Sequence, residues 1–256
     1  MEWRPEKTKV RNNTVTIVSK LVQTVIHELK TLRGAFYRRL YLSRTDELSL
    51  VERFHQLFFD ARAFNMTWRN ISWMGHPILK CPMDLWLYQE IIHELRPHLI
   101  IESGTAFGGS ALYLASICDL VGHGRVVTID VEVRGERPKH PRITYLQGSS
   151  VSEKVMNQIR AEVEGQSPIL VILDSDHRKE HVLAELETFS PLVTKGSYLI
   201  VEDTNLNGHP VEPDFGPGPA EAVEEFLVGH KNFTIDRTKE KLYLTFNPGG
   251  YLKKND

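Results

Sequence analysis

The stretch Leu99-Ile100-Ile101-Glu102-Ser103-Gly104-Thr105-Ala106-Phe107-Gly108-Gly109-Ser110 decides the fold. It opens as a short apolar strand closed by an acid and continues as a glycine-rich turn. Glycines after a strand let the backbone approach a ligand closely and turn into a helix, here predicted over 111–120. The alternation then repeats. Strands are predicted at 126–130, 142–146, 168–173 and 198–201, and helices at 151–163, 178–190 and 220–229. Residues 233–236 and 241–246 are predicted to close the chain as an antiparallel hairpin. Continuously apolar strands separated by helices imply an α/β fold with a mostly parallel sheet covered on both faces. In such sheets ligands bind beyond the carboxyl ends of the strands. Four of the first five strands end in carboxylates: Glu102, Asp130, Asp174 or Asp176, and Glu202 with Asp203.

Upstream of this core, residues 83–95 read as a helix that stops before Pro97. Trp68 to Pro77 reads as a loop, because two tryptophans, a glycine and a proline break the period. Residues 47–65 read as helical. Val15, Val18, Val22, Val25, Leu29 and Leu32 recur at three- and four-residue steps, the mark of an amphipathic helix. Residues 1–65 are therefore expected to form an N-terminal helical arm, and 66–256 the catalytic domain. The net charge of −2 hides an asymmetry, since residues 1–44 alone carry ten Lys/Arg against three Asp/Glu. The arm is expected to pack on its own domain or on a second subunit, giving a homo-oligomer. Its basic run (Lys30, Arg33, Arg38, Arg39, Arg44) with Phe36, Tyr37 and Tyr41 is also compatible with peripheral membrane contact.

Composition removes several classes. No apolar run approaches the roughly 20 residues of a transmembrane helix. The near-neutral charge argues against a general nucleic-acid partner. Met1–Asn13 is polar and charged, so a cytoplasmic location is expected. Cys81 and Cys118 are too few for a disulfide scaffold or a four-ligand zinc site and read as buried thiols.

The loop after the first strand reads E-x-G-x-x-x-G-G. An acid two residues before the first glycine would repel a pyrophosphate but suits a cationic ligand. Downstream, Asp174-Ser175-Asp176-His177-Arg178-Lys179 and Glu202-Asp203 bring three or four carboxylates to adjacent strand ends. Like charges that close raise one another's pKa unless a cation intervenes. A hard divalent ion with oxygen ligands resolves this, and Mg²⁺ fits best, with Ca²⁺ and Mn²⁺ as alternatives. The segment 202–225 has seven acids and no Lys or Arg. With its many Gly and Pro it reads as a stiff flap over the site.

These segments resemble known enzymes. The loop is similar to motif I of the class I S-adenosylmethionine (SAM) methyltransferases. That resemblance implies that Glu102, Gly104, Thr105, Gly108, Gly109 and Ser110 face the methionine part of SAM. It puts Asp130 on the ribose hydroxyls and Ser149 and Ser150 beside the adenine. Asp176-His177-Arg178-Lys179 resembles the metal segment of catechol-type O-methyltransferases, with Glu202-Asp203 matching the acid–amide pair that follows, although its second residue is an acid rather than Asn. It implies Asp176, Glu202 and Asp203 as metal ligands, and Asp174 behind them or near the SAM methyl. His177, Lys179 and His181 are candidate bases in that order, with His177 orienting a ligand as the alternative.

A closer resemblance is to the cephalosporin hydroxylase / rhamnosyl O-methyltransferase family. Its carriers are Trp73-x-Gly75, Lys80-x-Pro82-x-Asp84, Glu102–Thr105, Gly108–Ser110, Leu173–His177, His181-Val182-x-x-Glu185-Leu186 and Val201–Asp203. Asn207–Pro210, Gly216–Pro219 and Phe246–Tyr251 continue the match. It implies a Rossmann-like methyltransferase fold with SAM and Mg²⁺ sites. The family name holds two chemistries, hydroxylation and methyl transfer. An iron hydroxylase using 2-oxoglutarate wants two His and one carboxylate, usually on a β-barrel. Here the donors are carboxylates on an α/β sheet, so the expected function is Mg-dependent O-methylation of a sugar or natural-product hydroxyl. A cephalosporin-type oxidoreductase and a non-catalytic SAM- or partner-binding module are the alternatives. Trp68 and Trp73 are candidate stacking surfaces for the acceptor, and His209 a candidate cover.

Overall fold

The computed structural model describes residues 8–41, 44–60 and 66–255. The chain forms two compact units, Met1–Leu50 and Val51–Asp256. The first holds α1 (Thr8–Tyr41) and the start of α2 (Arg44–Asp60). The end of α2 belongs to the second unit.

The second unit begins its strands with a short antiparallel ribbon, β1 (Ser72–Trp73) and β2 (His76–Pro77). Its centre is a seven-stranded sheet. In chain order the strands are β3 (Leu99–Ser103), β4 (Arg125–Asp130), β5 (Ile143–Gln147), β6 (Ile169–Leu173), β7 (Tyr198–Val201), β8 (Phe233–Ile235) and β9 (Tyr251–Lys254). Their spatial order is β5-β4-β3-β6-β7-β9-β8. β3 to β7 run parallel, and β9 joins β7 and β8 antiparallel. The helices are α3 (Pro82–Leu95), α4 (Gly109–Val121), α5 (Glu153–Val163), α6 (Lys179–Phe189) and α7 (Pro219–Gly229).

The strand period of two divides the core. Leu99, Ile101, Val127, Ile129, Val171 and Leu173 pack under α5, α6 and α7, on Val155, Ile159, Leu186, Phe189 and Phe226. Ile100, Val126, Leu170, Ile172 and Ile200 face the other way, on Leu87, Tyr88, Ile91, Leu114 and Cys118 of α3 and α4. Both faces are dry, which is why these strands are apolar throughout. Cys81 and Cys118 are buried free thiols.

One predicted strand is displaced. Residues 241–246 are irregular, and the antiparallel partner of β8 is β9. The cause is the buried Asp84, which accepts from Phe246 N at 2.8 Å, from Thr245 Oγ1 and from Tyr251 Oη at 2.7 Å. The backbone carbonyl of Phe246 meets Asn205 N at 3.1 Å, so that stretch has little left for a ladder.

A third apolar cluster joins Phe59, Cys81, Leu206, Val211, Leu244 and Phe246. His55 stacks on Phe246 with ring centroids 5.6 Å apart, and its Nε2 meets Asn205 Nδ2 at 2.9 Å. Burial pulls the His55 pKa down to about 4. Its folded pKa thus lies below the ordinary 6.5, so its contribution is complete above pH 6.5 and is lost as pH falls toward 4. The expected loss at pH 4.5 is on the order of 2–3 kcal/mol relative to pH 7. Urea unfolding of wild type and His55→Phe at both pH values checks this. Parallel losses in the two proteins would remove His55 as the cause.

Candidate active site

The carboxyl ends of the strands lie level. Ser103 pairs with Ile129 on one side and Leu173 on the other, and Leu173 pairs with Val201. Backbone bonds extend the row one residue further: Gly104 N to Ile129 O at 2.8 Å, Asp174 N to Ser103 O at 3.0 Å, and Glu202 N to Leu173 O at 2.9 Å. Gly104, Asp174 and Glu202 therefore emerge side by side. Gly104 has φ +92°, and a Cβ there would stand 1.6 Å from the carbonyl oxygen of Asp174. Only glycine lets the loop cross over Asp174.

Above this row is a cavity of about 400 Å³, a common size for a cofactor site. Its lining includes Gly104, Asp130 and Ser150 together with Asp174, His177 and Asp203. Asp130 is held by two backbone amides, Ala106 N at 2.8 Å and Glu132 N at 2.9 Å. It is thus both a turn acid and a cavity wall.

The remaining predicted cofactor residues build the loop from behind. Glu102 is fully buried, and its Oε2 accepts from Thr128 Oγ1 at 2.7 Å. Its Oε1 has no hydrogen-bond partner among the described residues, and burial pushes its pKa up. Thr105 Oγ1 also meets Thr128 Oγ1, at 2.8 Å. Gly109 starts α4 where a Cβ would stand 2.1 Å from Pro77 O, and at Gly108 one would stand 2.9 Å from Pro138 Cδ. Ser110, in the first turn of α4, borders a small crevice with Lys80, Gly104 and Asp174.

Ligand atoms of Asp174, His177 and Asp203 lie within 4.8 Å of one another. His177 Nε2 is 3.1 Å from Asp203 Oδ2 and 4.0 Å from Asp174 Oδ1. Asp203 sits at φ +55°, a conformation that costs a non-glycine residue energy and concentrates at functional sites. Burial pushes the Asp203 pKa up, with His177 opposing and Asp174 adding to the rise.

The predicted trio Asp176, Glu202 and Asp203 is not gathered this way. Asp176 lines the cavity but turns to Arg178, which donates to it through Nε at 2.9 Å and through its backbone N at 3.1 Å. The guanidinium holds the Asp176 pKa down at about 2. Glu202 Oε1 accepts from Lys80 Nζ at 2.6 Å and from Tyr88 Oη at 2.9 Å. Lys80 also donates to Asp174 Oδ2 at 2.6 Å. Burial, and after it Asp174, push Glu202 far above the ordinary carboxylate range against the pull of Lys80. Burial alone would lower Lys80, but Asp174, Glu202 and Glu102 outweigh it and hold the ammonium charged.

The candidate bases separate. His177 and His181 line the cavity. His181 Nε2 stands 3.4 Å from Ser150 Oγ and 3.6 Å from Glu185, which raises its pKa. Lys179 is removed from the chemistry: it pairs with Glu225 at 2.7 Å and does not line the cavity, because the first turn of α6 carries it aside. His209 likewise binds Glu221 at 3.0 Å beside a separate cavity of about 490 Å³. Trp73 packs on Tyr113 and donates to Ser116. Trp68 lines the cavity, but Phe59 stacks on its ring and Arg69 covers it.

The sequence reading missed Lys80, Tyr88 and Asn247 as a connected set, in which Asn247 Nδ2 donates to Tyr88 Oη at 2.9 Å. A signal existed: Lys80 and Asp84 are isolated charges inside the apolar run 78–87, and a lone charge in such a run needs a buried partner.

Residues 65–255 match the family described as Rhamnosyl O-methyltransferase/CmcI. The rhamnosyl O-methyltransferase of Mycobacterium tuberculosis (strain H37Rv) is 38% identical over 234 residues, spanning 89% of this chain and 93% of that protein. That of Mycobacterium leprae is 40% identical over 211 residues, 80% and 90% of the two chains. Among solved structures, apo CmcI superposes with a TM-score of 0.58 at 21% identity over 73% of this chain and 77% of that one. CmcI with Mg and SAM gives 0.57 at 20% identity over 73% and 78%. These superpositions carry the fold, a Rossmann-like methyltransferase sheet, and the sequence relatives carry the kinship: the chain belongs to the rhamnosyl O-methyltransferase/CmcI family.

Proposed function

We propose that this chain is a metal-dependent SAM O-methyltransferase acting on a hydroxyl of a rhamnosyl or similar sugar. The observation that carries this is a cluster of carboxylates crowded at the strand ends beside the cavity. Among the described residues, Glu102, Asp174, Glu202 and Asp203 converge there on one ammonium, that of Lys80. Carboxylates this close ionise together only beside further cations and otherwise retain protons, as the raised pKa of Glu202 and of Asp203 shows; a sulfonium cofactor with a divalent ion would supply those cations. The names of the relatives support the same reaction and acceptor class.

Mg²⁺ suits an all-oxygen donor set. We assign it to Asp203, with Asp176 and Glu202 completing the set. Asp176 is tied to the exposed Arg178, a solvent-screened pairing that a bound cation can displace. Both bonds to Glu202 use Oε1, which leaves Oε2 clear of them. Bound, the ion acts as a Lewis acid on the acceptor hydroxyl, and SAM supplies the methyl group. Asp130 presents its carboxylate to the ribose side of the cavity, and Ser149 and Ser150 border the base. His177 is the candidate base: its Nε2 faces Asp203 Oδ2 at 3.1 Å, so that carboxylate orients the ring and would stabilise the imidazolium formed when the ring takes the hydroxyl proton. Trp68 is packed by Phe59 and by Arg69, so it is not assigned as a stacking surface for the acceptor.

The test is methyl transfer from isotope-labelled SAM to a rhamnosyl glycoside, run beside calorimetric titration of SAM. The expected result is SAM binding, with transfer in Mg²⁺ that falls at least about a hundredfold in EDTA. Absence of SAM binding would refute the function. Metal-independent transfer would refute only the ion's role.

A further inference from the structure

α1 carries a continuous exposed apolar face. Leu21, Val22, Val25, Ile26, Leu29, Leu32 and Phe36 are 46–66% exposed. At 100° per residue they cover one arc of roughly 140°. Leu21 and Ile26 widen this arc beyond the two-position seam that a second helix would fill. The sequence of α1, Thr8–Tyr41, holds seven Lys/Arg and a single acid, Glu28. No described helix is long and apolar enough to cross a membrane. A wide apolar arc on a strongly cationic helix matches the charge and chemistry of an anionic bilayer surface. A second copy would instead set two such cationic helices side by side.

We infer that α1 is a membrane-surface helix that lays this arc, centred on Val25, Leu29 and Phe36, into an anionic lipid interface while Lys30 and Arg33 at its edge reach the headgroups. Lys30 and Arg33 fall at the Ile26 edge of the arc, where a long side chain can bury its stem and keep its charge at the headgroup level.

The full chain is tested by cosedimentation with vesicles of phosphatidylcholine alone and with about 30% phosphatidylglycerol added. Binding to the anionic vesicles is expected to be at least about tenfold stronger, and to fall steeply between about 0.1 and 0.5 M NaCl. Lys30→Gln/Arg33→Gln should weaken it roughly twentyfold, about fivefold for each charge. Leu29→Gln/Leu32→Gln, which keeps the charge, should abolish it. Unchanged circular dichroism and thermal midpoint show that these exposed substitutions leave the fold intact. The inference is overturned if the chain ignores anionic vesicles, binds both kinds equally, or binds regardless of the leucines. It is overturned too if sedimentation velocity shows a dimer that Leu29→Gln/Leu32→Gln dissociates while vesicles capture nothing.

Discussion

Replacing Asp203 by Asn is expected to lower methyl transfer about a thousandfold, or about 4 kcal/mol of transition-state stabilisation, and to change SAM affinity by less than about tenfold. Asp203 has two proposed tasks. It is the carboxylate around which the cation is assigned, and its Oδ2 faces His177 Nε2 at 3.1 Å. Asparagine is the informative replacement, because it tolerates the left-handed backbone that Asp203 adopts at φ +55°. Alanine would add strain to the loss of charge. A kcat loss with KM for SAM preserved, measured at saturating Mg²⁺, is the expected pattern. Asp176→Asn should produce a loss of similar size. A variant that retains near wild-type turnover would place the chemistry elsewhere in the cavity.

Lys80→Met is expected to cost about 3–5 kcal/mol of stability, on the order found when one partner of a buried ion pair is removed. Lys80 is 2% exposed and sits 2.6 Å from both Asp174 and Glu202. Without it, two carboxylates face each other in a dry site. The double variant Lys80→Met/Glu202→Gln should recover part of the loss, with a coupling of about 1–3 kcal/mol. Chemical denaturation of the three variants gives the cycle. If Lys80→Met costs less than about 1 kcal/mol, the ammonium is not what reconciles these acids. The same variant should disturb catalysis, since Lys80 fixes the Oδ2 of Asp174 and so the orientation of Oδ1 toward His177.

What the sequence revealed follows from how local each signal was. The parallel sheet was legible because β3, β4, β6 and β7 are short apolar runs ended by acids or glycine, and their boundaries shifted by a residue or two at most. The strand after β8 was misplaced because Asp84, some 160 residues earlier in the chain, takes the backbone N–H of Phe246 and the hydroxyl of Thr245, and no local pattern announces that. At the site, Asp130, Asp174, His177 and Asp203 were visible as strand-end residues. Their division into cavity walls and supports was not. Glu102 looks like a ligand in sequence, yet it points into the layer behind the loop and holds Thr128. Asp174 and Asp176 are two residues apart and were separable only by their partners, Lys80 from the β2–α3 connection and Arg178 from the next turn. A distant partner, Lys80, pairs with Asp174, and a local one, Arg178, leaves Asp176 open to recruitment.

Whether the strand-end carboxylates around Asp203 hold a divalent ion beside the SAM cavity is read most directly by anomalous diffraction from crystals of the full chain grown with Mn²⁺ and SAM. One strong peak is expected, bounded by Asp203, Glu202 and Asp176 and absent from Asp203→Asn crystals. A peak away from Asp203, or the same peak surviving in Asp203→Asn, would contradict the assignment.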